Sequence, residues 1–256
     1  MKTVINWKLF FILLGACLLT TIMVLPYALS LLPTEIGEQI TPAILVAQVI
    51  SSQILFVIAI FFGLFFAKRV GFGLPILEGL LKRENQKENL KSIAGLSIGS
   101  GVLAAVLIIL FSLPFGSMSI DFLKSEMAVP FWKSFLASFY GGIGEEVLLR
   151  LFLLTTFVWL SFKIKKTPEG KPTAVGVWLA IIITSIIFGL GHLPITGAMT
   201  AITLAVVIRA IVLNGIGGII FGWLYWKKGL ESAMISHFSA DICLHVILPI
   251  VSGIFV

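Results

Sequence analysis

The chain has 256 residues, of which 59% are hydrophobic and only 12% are charged, and its mean hydropathy is +1.11. About a quarter of the residues of a soluble domain are charged, so this composition excludes an ordinary soluble protein. The net charge of +6 does not indicate nucleic-acid binding, because the basic residues flank apolar runs. The two cysteines both lie in apolar runs and predict no disulfide framework.

Long continuous apolar runs predict one integral membrane domain over residues 1–256. Each run approaches the roughly 20 residues that a bilayer core requires. The predicted spans are 8–32, 42–67, 92–113, 131–164, 174–192, a helix within 198–226, and 230–252. Splitting the stretch after His192 would add an eighth helix. The sequence therefore predicts an all-α polytopic transmembrane bundle of seven or eight helices.

The connections between the spans differ in their content of lysine and arginine. Residues 68–91 and 163–171 are rich in these residues, and Lys2 precedes the first span. Because basic loops remain in the cytoplasm, this bias predicts a cytoplasmic amino terminus in a prokaryotic cell membrane. A short surface helix is predicted near 76–83, whereas 115–130 is predicted to be a loop.

The run 131–164 is too long for a straight perpendicular span. Its 34 residues would extend about 50 Å at 1.5 Å per residue, whereas the hydrocarbon core is about 30 Å thick. The helix must tilt, kink or begin outside the core. Gly141, Gly142 and Gly144 predict a bend or a close helix contact in its middle.

Several ionisable side chains interrupt the apolar runs of the carboxyl-terminal half: Glu145, Glu146, Arg150, His192, Arg209, His237, Asp241 and His245. A charge at the centre of a bilayer costs about 2.5–3.5 kcal/mol on insertion scales. Three or four unpaired charges would cost on the order of 10 kcal/mol, which is comparable to the stability of a whole domain. We therefore expect these side chains to pair and to line a wet cavity.

Helical spacing separates the roles of the two adjacent glutamates. Glu146 and Arg150 are four residues apart in the favourable order, so they can neutralise one another. Glu145 points about 100° away, so the same arginine cannot easily reach it. The alternative is that both glutamates belong to one structural ion-pair cluster. We favour that role for Glu146 and a proton-transfer role for Glu145.

The histidines fall in two further segments. His192 follows Phe188 by one helical turn, and Pro194 predicts that this helix ends nearby. His237, Asp241 and His245 form a single stripe at successive four-residue spacing, which would also suit a hydrogen-bonded seam between helices.

Zinc is the alternative to a metal-free site. Two histidines and a carboxylate are reasonable zinc ligands, but the His-Glu-x-x-His signature of zinc proteases is absent. His237 and His245 are about 12 Å apart along an intact helix, so they cannot share one ion. The alternative ligand set is Glu145, His192 and His237, and no cofactor is the favoured prediction. Arg209 is expected to reach Asp241 or Glu146, or to extend toward the membrane surface.

Three segments together resemble the motifs of the CPBP family. They are Glu145-Glu146-x-x-x-Arg150, then Phe188-x-x-x-His192, then His237-x-x-x-Asp241, in that order on separate predicted helices. The CPBP family comprises CAAX prenyl endopeptidases and bacteriocin-processing or immunity proteins, also called Abi intramembrane proteases. The motifs lie within 131–252, the predicted catalytic core, and the amino-terminal half carries none.

The resemblance implies an intramembrane glutamic endopeptidase of the CAAX type. It implies that Glu145 is the general base, that His192 helps to hold the water, and that His237 donates to the oxyanion. Glu146 and Arg150 would support them. Asp241 stands where the prenyl-protease branch has asparagine, and an ionised aspartate cannot donate a hydrogen bond. We therefore expect Asp241 to orient His237.

The expected partners are a peptide or membrane-protein substrate and the lipid bilayer, with no nucleic acid. Two function classes compete with the peptidase. One is a non-catalytic immunity or regulatory protein of the same fold. The other is a proton-coupled transporter, because intramembrane Glu, His and Asp also form relays. The sequence shows no paired broken helices in two related halves, which disfavours the transporter.

Overall fold

The structure is a computed structural model that describes residues 5–254, with only the backbone of Ile254, so Lys2 lies outside it. The described chain is helical without a strand. Seven helices are long and apolar enough to cross a membrane: Trp7–Ser30 (span 1), Pro42–Val70 (span 2), Lys87–Phe115 (span 3), Phe131–Ile164 (span 4), Ala174–Met199 (span 5), Leu204–Lys228 (span 6) and Leu230–Gly253 (span 7). This confirms the predicted all-α polytopic bundle.

Several spans are assembled from shorter helical pieces. Span 3 ends in a 3₁₀ turn at Leu113–Phe115, and span 5 continues past His192 as the short helix Leu193–Met199. Span 7 contains a π-helical stretch at Ile242–Ile247. Three short helices lie between the spans: Thr34–Gly37, Pro75–Leu81 and Ser117–Met127. The stretch after His192 therefore adds no eighth span to the described residues.

Local side-chain caps set the beginning of four spans. Asn6, Thr41, Thr173 and Thr203 each accept a hydrogen bond from a backbone N–H in the first turn of the following helix. Such caps contribute about 1 kcal/mol each, because they satisfy donors that have no partner within the helix. The helix beginnings are thus encoded by short-range sequence.

Span 4 occupies the middle of the bundle. It packs against spans 1, 2, 5, 6 and 7. Its core side chains, including Val147, Leu151 and Leu154, are fully buried. Many large apolar side chains on the outer spans are exposed instead, as expected of surfaces that face lipid. Glu146 and Arg150 on span 4 are therefore shielded from lipid by neighbouring helices.

The interior of span 4 is not a regular α-helix. The segments Tyr140–Glu145 and Val147–Leu154 are π-helical, and the hydroxyl of Thr155 donates to the carbonyl of Arg150, five residues earlier, at 2.9 Å. Such turns are rare and are frequently found at functional sites. The irregularity that the glycines predict is therefore present.

The structure of two connections between spans was predicted, and one of these predictions is confirmed while the other is wrong. The surface helix expected near 76–83 is present as Pro75–Leu81. The loop expected over 115–130 is wrong, because Ser117–Met127 is helical. The reason is long-range: Glu126 near its end is buried, and it accepts hydrogen bonds from Tyr27 and His245 on spans 1 and 7.

Contacts between connections define the two ends of the bundle. At one end the backbone N–H of Leu230 donates to the carbonyl of Gly73 at 3.0 Å, so the 68–91 connection lies at the start of span 7. At the other end Lys133 Nζ donates to Ser30 Oγ at 2.7 Å, so span 4 begins where span 1 ends. Ser117–Met127 also lies at this second end, which we call the Glu126 end.

Candidate active site

Glycines in the π-helical part of span 4 allow it to approach span 7 closely. A Cβ atom at Gly141 would collide with the carboxylate of Asp241 and would lie 3.3 Å from His237 Nε2. A Cβ atom at Gly142 would lie 2.9 Å from Phe238 Cβ. The absence of these side chains thus brings Glu145 and Glu146 to the face of span 7 that carries His237 and Asp241.

Glu146 and Arg150 form the buried ion pair that their spacing predicts. Arg150 Nη1 lies 2.9 Å from Glu146 Oε1, and both side chains are almost completely buried. Arg150 Nη2 also donates to the carbonyl of Gly218 at 3.3 Å. The guanidinium lies 5.0 Å from the ring centroid of Phe188 and 5.3 Å from that of Phe221. The arginine is therefore committed to Glu146 and to span 6.

His237 is held by Glu146 through one ring nitrogen. The Nδ1 atom lies 2.8 Å from Glu146 Oε1. Because an ionised carboxylate only accepts hydrogen bonds, Nδ1 carries the proton in this contact. The ring stacks on Phe221 with centroids 4.6 Å apart. Asp241 was expected to orient His237, but Glu146 provides the shorter contact.

The second ring nitrogen of His237 faces two further carboxylates. Its Nε2 atom lies 3.5 Å from Asp241 Oδ1 and 3.7 Å from Glu145 Oε2. The imidazole therefore has a charge partner on each side, and its protonated form can donate from Nε2. This places a donor beside the carboxylate of Glu145.

Glu145 differs from its neighbour in both exposure and pairing. Its side chain is 25% exposed, whereas that of Glu146 is 0% exposed. Within residues 5–254, His237 is the only ion-pair partner of Glu145, and no lysine or arginine pairs with it. One carboxylate is thus paired with arginine and the other is not, as the helical spacing predicts, whereas the partial exposure of Glu145 was not predicted.

His192 lies at the end of the first helical part of span 5, Ala174–Gly191. Its Nδ1 atom donates to the carbonyl of Phe188 at 2.9 Å, which leaves Nε2 for another partner. The ring of Phe188 is edge-on to both imidazoles, with centroids 4.9 Å from His192 and 5.5 Å from His237. In the described part of the chain no ion pair joins His192 to Glu145, whereas His237 Nε2 lies 3.7 Å from Glu145 Oε2.

Arg209 does not join this cluster. In the described part of the chain it forms no ion pair with Asp241 or Glu146, so these two expectations are wrong. Its guanidinium lies instead 5.1 Å from the ring centroid of Phe122 at the Glu126 end. The third expectation, extension toward the membrane surface, stays a prediction.

Two contributors to the site were not identified from the sequence. Phe221 stacks on His237, and Gly218 supplies the carbonyl that binds Arg150. Both lie on span 6, whose Gly-rich segment 215–218 is a signal for close helix packing.

Within residues 5–254 no group of three His, Cys, Asp or Glu side chains has the arrangement of a metal site.

Replacement of Gly141 by alanine is expected to impair both stability and the site. The new methyl group must displace the Asp241 carboxylate, and overpacking of this kind costs about 1–3 kcal/mol. The melting temperature in detergent measures this loss. Gly15→Ala in span 1 is the matched control, since nothing lies within 4 Å of its added Cβ. Equal melting temperatures for the two variants would contradict the close approach of spans 4 and 7.

A family model described as type II CAAX prenyl endopeptidase Rce1-like matches residues 127–243. Residues 127–243 are thus similar to the Rce1-like family. The match confirms the resemblance that the three motifs indicate and supports a CAAX-type intramembrane protease. No curated protein and no solved structure matches the chain.

The Rce1-like segment contains every residue of the cluster described above. It begins four residues before span 4 and ends two residues after Asp241. Spans 1, 2 and 3 lie outside it, in agreement with the lack of motifs in the amino-terminal half. The whole of span 4, including its π-helical turns and both glutamates, lies within the Rce1-like segment.

Proposed function

We propose that this chain is an intramembrane glutamic endopeptidase that hydrolyses a peptide bond at or within the bilayer. The observation that carries the proposal is the carboxylate of Glu145. It is partly accessible, has no arginine or lysine partner in the described chain, and lies 3.7 Å from His237 Nε2. A carboxylate in this setting can accept a proton from water, and an adjacent imidazole can act on the attacked carbonyl.

The proposed reaction uses each residue in one role. Glu145 removes a proton from water while the water oxygen attacks the peptide carbonyl. Protonated His237 donates from Nε2 to the developing oxyanion, and a single donor of this kind contributes about 10²–10³-fold. Glu145 then returns the proton to the leaving nitrogen, so the peptide bond breaks without any other reactant.

Neighbouring side chains keep the two principal groups in position. Glu146 accepts from His237 Nδ1 and is itself neutralised by Arg150. Asp241 lies 3.5 Å from Nε2, where its negative charge favours the imidazolium form. His192, with Nδ1 bound to the Phe188 carbonyl, offers Nε2 to the water.

The proposal extends to the orientation in the membrane. The connections 68–91 and 163–171 carry most of the loop lysines, and we place them in the cytoplasm of a prokaryotic cell. The Glu126 end would then face outside. A cysteine introduced at Glu169 should be protected from a membrane-impermeant maleimide in intact cells. Rapid labelling would reverse the orientation.

Cleavage of defined peptides by the purified protein tests the activity. The protein in nanodiscs is incubated with internally quenched peptides, each made with and without a prenylated cysteine, and empty nanodiscs are the control. Cleavage of at least one series is expected. Folded protein that cleaves neither series would contradict the proposal and favour the non-catalytic immunity or regulatory role.

The same assay distinguishes the metal-free mechanism from the zinc alternative. Addition of 1,10-phenanthroline should leave the cleavage rate unchanged if Glu145 acts on water without a metal. Inhibition that added zinc reverses would indicate a metalloprotease, with Glu145, His192 and His237 as the candidate ligands.

A further inference from the structure

A cavity of about 270 Å³ lies at the Glu126 end, between the start of span 4 and the end of span 7. Its walls are mostly apolar, and one imidazole interrupts them. The lining includes Met127, Val129, Pro130, Phe131, His245 and Pro249. Pockets for drug-sized ligands have about 300–1,000 Å³, so this cavity is matched to one or two amino-acid side chains.

The imidazole of His245 is fixed at the wall of this cavity. Its Nδ1 atom lies 3.0 Å from Oε2 of Glu126, a carboxylate that is 1% exposed. The other oxygen of Glu126 accepts from the hydroxyl of Tyr27 at 2.5 Å. The rings of Tyr27 and Phe122 stand edge-on to the imidazole, with centroids 6.2 and 6.3 Å away.

This arrangement leaves one nitrogen of His245 for a ligand. The carboxylate of Glu126 only accepts, so Nδ1 carries its proton toward it. In the part of the chain that the structure describes, Nε2 of His245 has no hydrogen-bond partner. An imidazole that is held by three neighbours and lines a mostly apolar cavity suits recognition of one polar group within an apolar ligand.

The cavity lies at a defined distance from the candidate active site. His245 is one helical turn beyond Asp241 and two turns beyond His237, and its separation from His237 corresponds to roughly 12 Å along the helix axis. Asp241 and His245 are within electrostatic range of one another. An extended peptide advances about 3.3 Å per residue, so the cavity is about three to four residues from the reacting carbonyl.

We infer that this cavity is a specificity subsite for the peptide substrate. It accepts a large apolar side chain about three to four residues from the scissile bond, and Nε2 of His245 binds the adjacent peptide backbone. The inference depends on the proposed peptidase function. Apolar walls disfavour a charged side chain, because the charge would lose its hydration without a counter-charge.

A purely structural role for the same residues makes a different prediction. The pair of His245 and Glu126 also fastens span 7 to the helix Ser117–Met127. If this were its only role, changes at the cavity would lower stability and affect all peptides equally. A loss of binding that depends on the side chain of the peptide therefore supports the specificity subsite, and an equal loss for all peptides supports the structural role.

Peptide binding to a cavity-filled variant tests the subsite. The Glu145→Gln protein is mixed with fluorescein-labelled peptides. Each peptide carries phenylalanine or glycine at one of the first four positions on either side of the scissile bond. Binding is followed by anisotropy. Val129→Phe fills the cavity from a wall residue that is 7% exposed. For one of the substituted peptide positions, Val129→Phe should weaken binding of the phenylalanine peptide about tenfold or more. It should weaken binding of the glycine peptide for the same position less than about twofold.

Two further variants complete the test. Val46→Phe makes the same change at a lipid-facing position, 59% exposed, and should leave binding unchanged. His245→Leu should weaken binding of both peptides, and His245→Gln should restore part of it. Equal effects of Val129→Phe and Val46→Phe, or equal effects on phenylalanine and glycine peptides, would overturn the inference. So would the absence of measurable peptide binding.

Photocrosslinking keeps the test valid if Val129→Phe does not fold. Benzoylphenylalanine is placed at the peptide position where Val129→Phe weakens phenylalanine binding selectively. If no variant folds, it is placed at the third position on either side of the scissile bond. This peptide should crosslink to Met127 or to residues 245–250. Crosslinks confined to other segments would overturn the subsite. Both measurements record binding, so a failed subsite would leave cleavage by the wild-type protein intact, whereas failure of the wild-type protein to cleave would contradict the proposed hydrolysis itself.

Discussion

Replacement of Glu145 by glutamine is expected to lower kcat/KM for peptide cleavage by about 10²–10⁴-fold, the usual contribution of a general base. The amide has nearly the same shape as the carboxylate, but it cannot accept a proton from water at neutral pH. The folded state should survive, because Glu145 is 25% exposed and has no arginine that would be left unpaired. Cleavage of the quenched peptides and the melting temperature in detergent measure the two effects.

An exposed glutamate provides the matched control for this variant. Glu38 lies in an exposed connection after span 1, so Glu38→Gln should change neither activity nor melting temperature. A Glu145→Gln protein that melts like the wild type and retains its cleavage rate would remove Glu145 from the mechanism. A protein that fails to fold would favour the structural ion-pair alternative for both glutamates.

Replacement of Arg150 by methionine is expected to lower the free energy of unfolding by about 3–5 kcal/mol. Removal of one partner from a buried ion pair leaves the other charge uncompensated, and this is among the most destabilising substitutions. Here the orphaned group is the carboxylate of Glu146, whose side chain is 0% exposed. Folded yield and melting temperature should both fall markedly. An unchanged melting temperature would show that Arg150 does not neutralise Glu146.

A double variant separates the structural and positioning roles of the pair. Removing both charges with Glu146→Gln and Arg150→Met should recover much of the lost stability, since neutral replacements of a buried pair are often tolerated. Activity should not recover, because the carboxylate that holds His237 Nδ1 at 2.8 Å is gone. Recovery of full activity together with stability would contradict the positioning of His237 by Glu146.

Local patterns were sufficient to predict the spans and part of the site. A membrane span requires only a continuous apolar run, so all seven spans could be recognised without knowledge of their neighbours. The pair of Glu146 and Arg150 depends on four-residue spacing within one element, and it forms as expected. The order of the three motifs was enough to indicate the family of residues 127–243.

Contacts between distant elements could not be predicted from the same patterns. The choice of Glu146 as the shorter contact of His237 depends on how spans 4 and 7 pack, which spacing within either span does not determine. Arg209 lies over Phe122, and the helix that supplies Phe122 was itself predicted as a loop. That helix carries Glu126, whose burial depends on Tyr27 and His245 from two other spans.

The central claim is that Glu145 activates a water molecule beside the imidazoles of His237 and His192. An experimental structure of the wild-type protein in nanodiscs, at a resolution that shows solvent, tests it most directly. The account predicts an ordered water about 2.6–3.2 Å from the Glu145 carboxylate and within hydrogen-bond reach of at least one Nε2 atom. A Glu145 side chain that points away from both imidazoles and shares no water with either would contradict it.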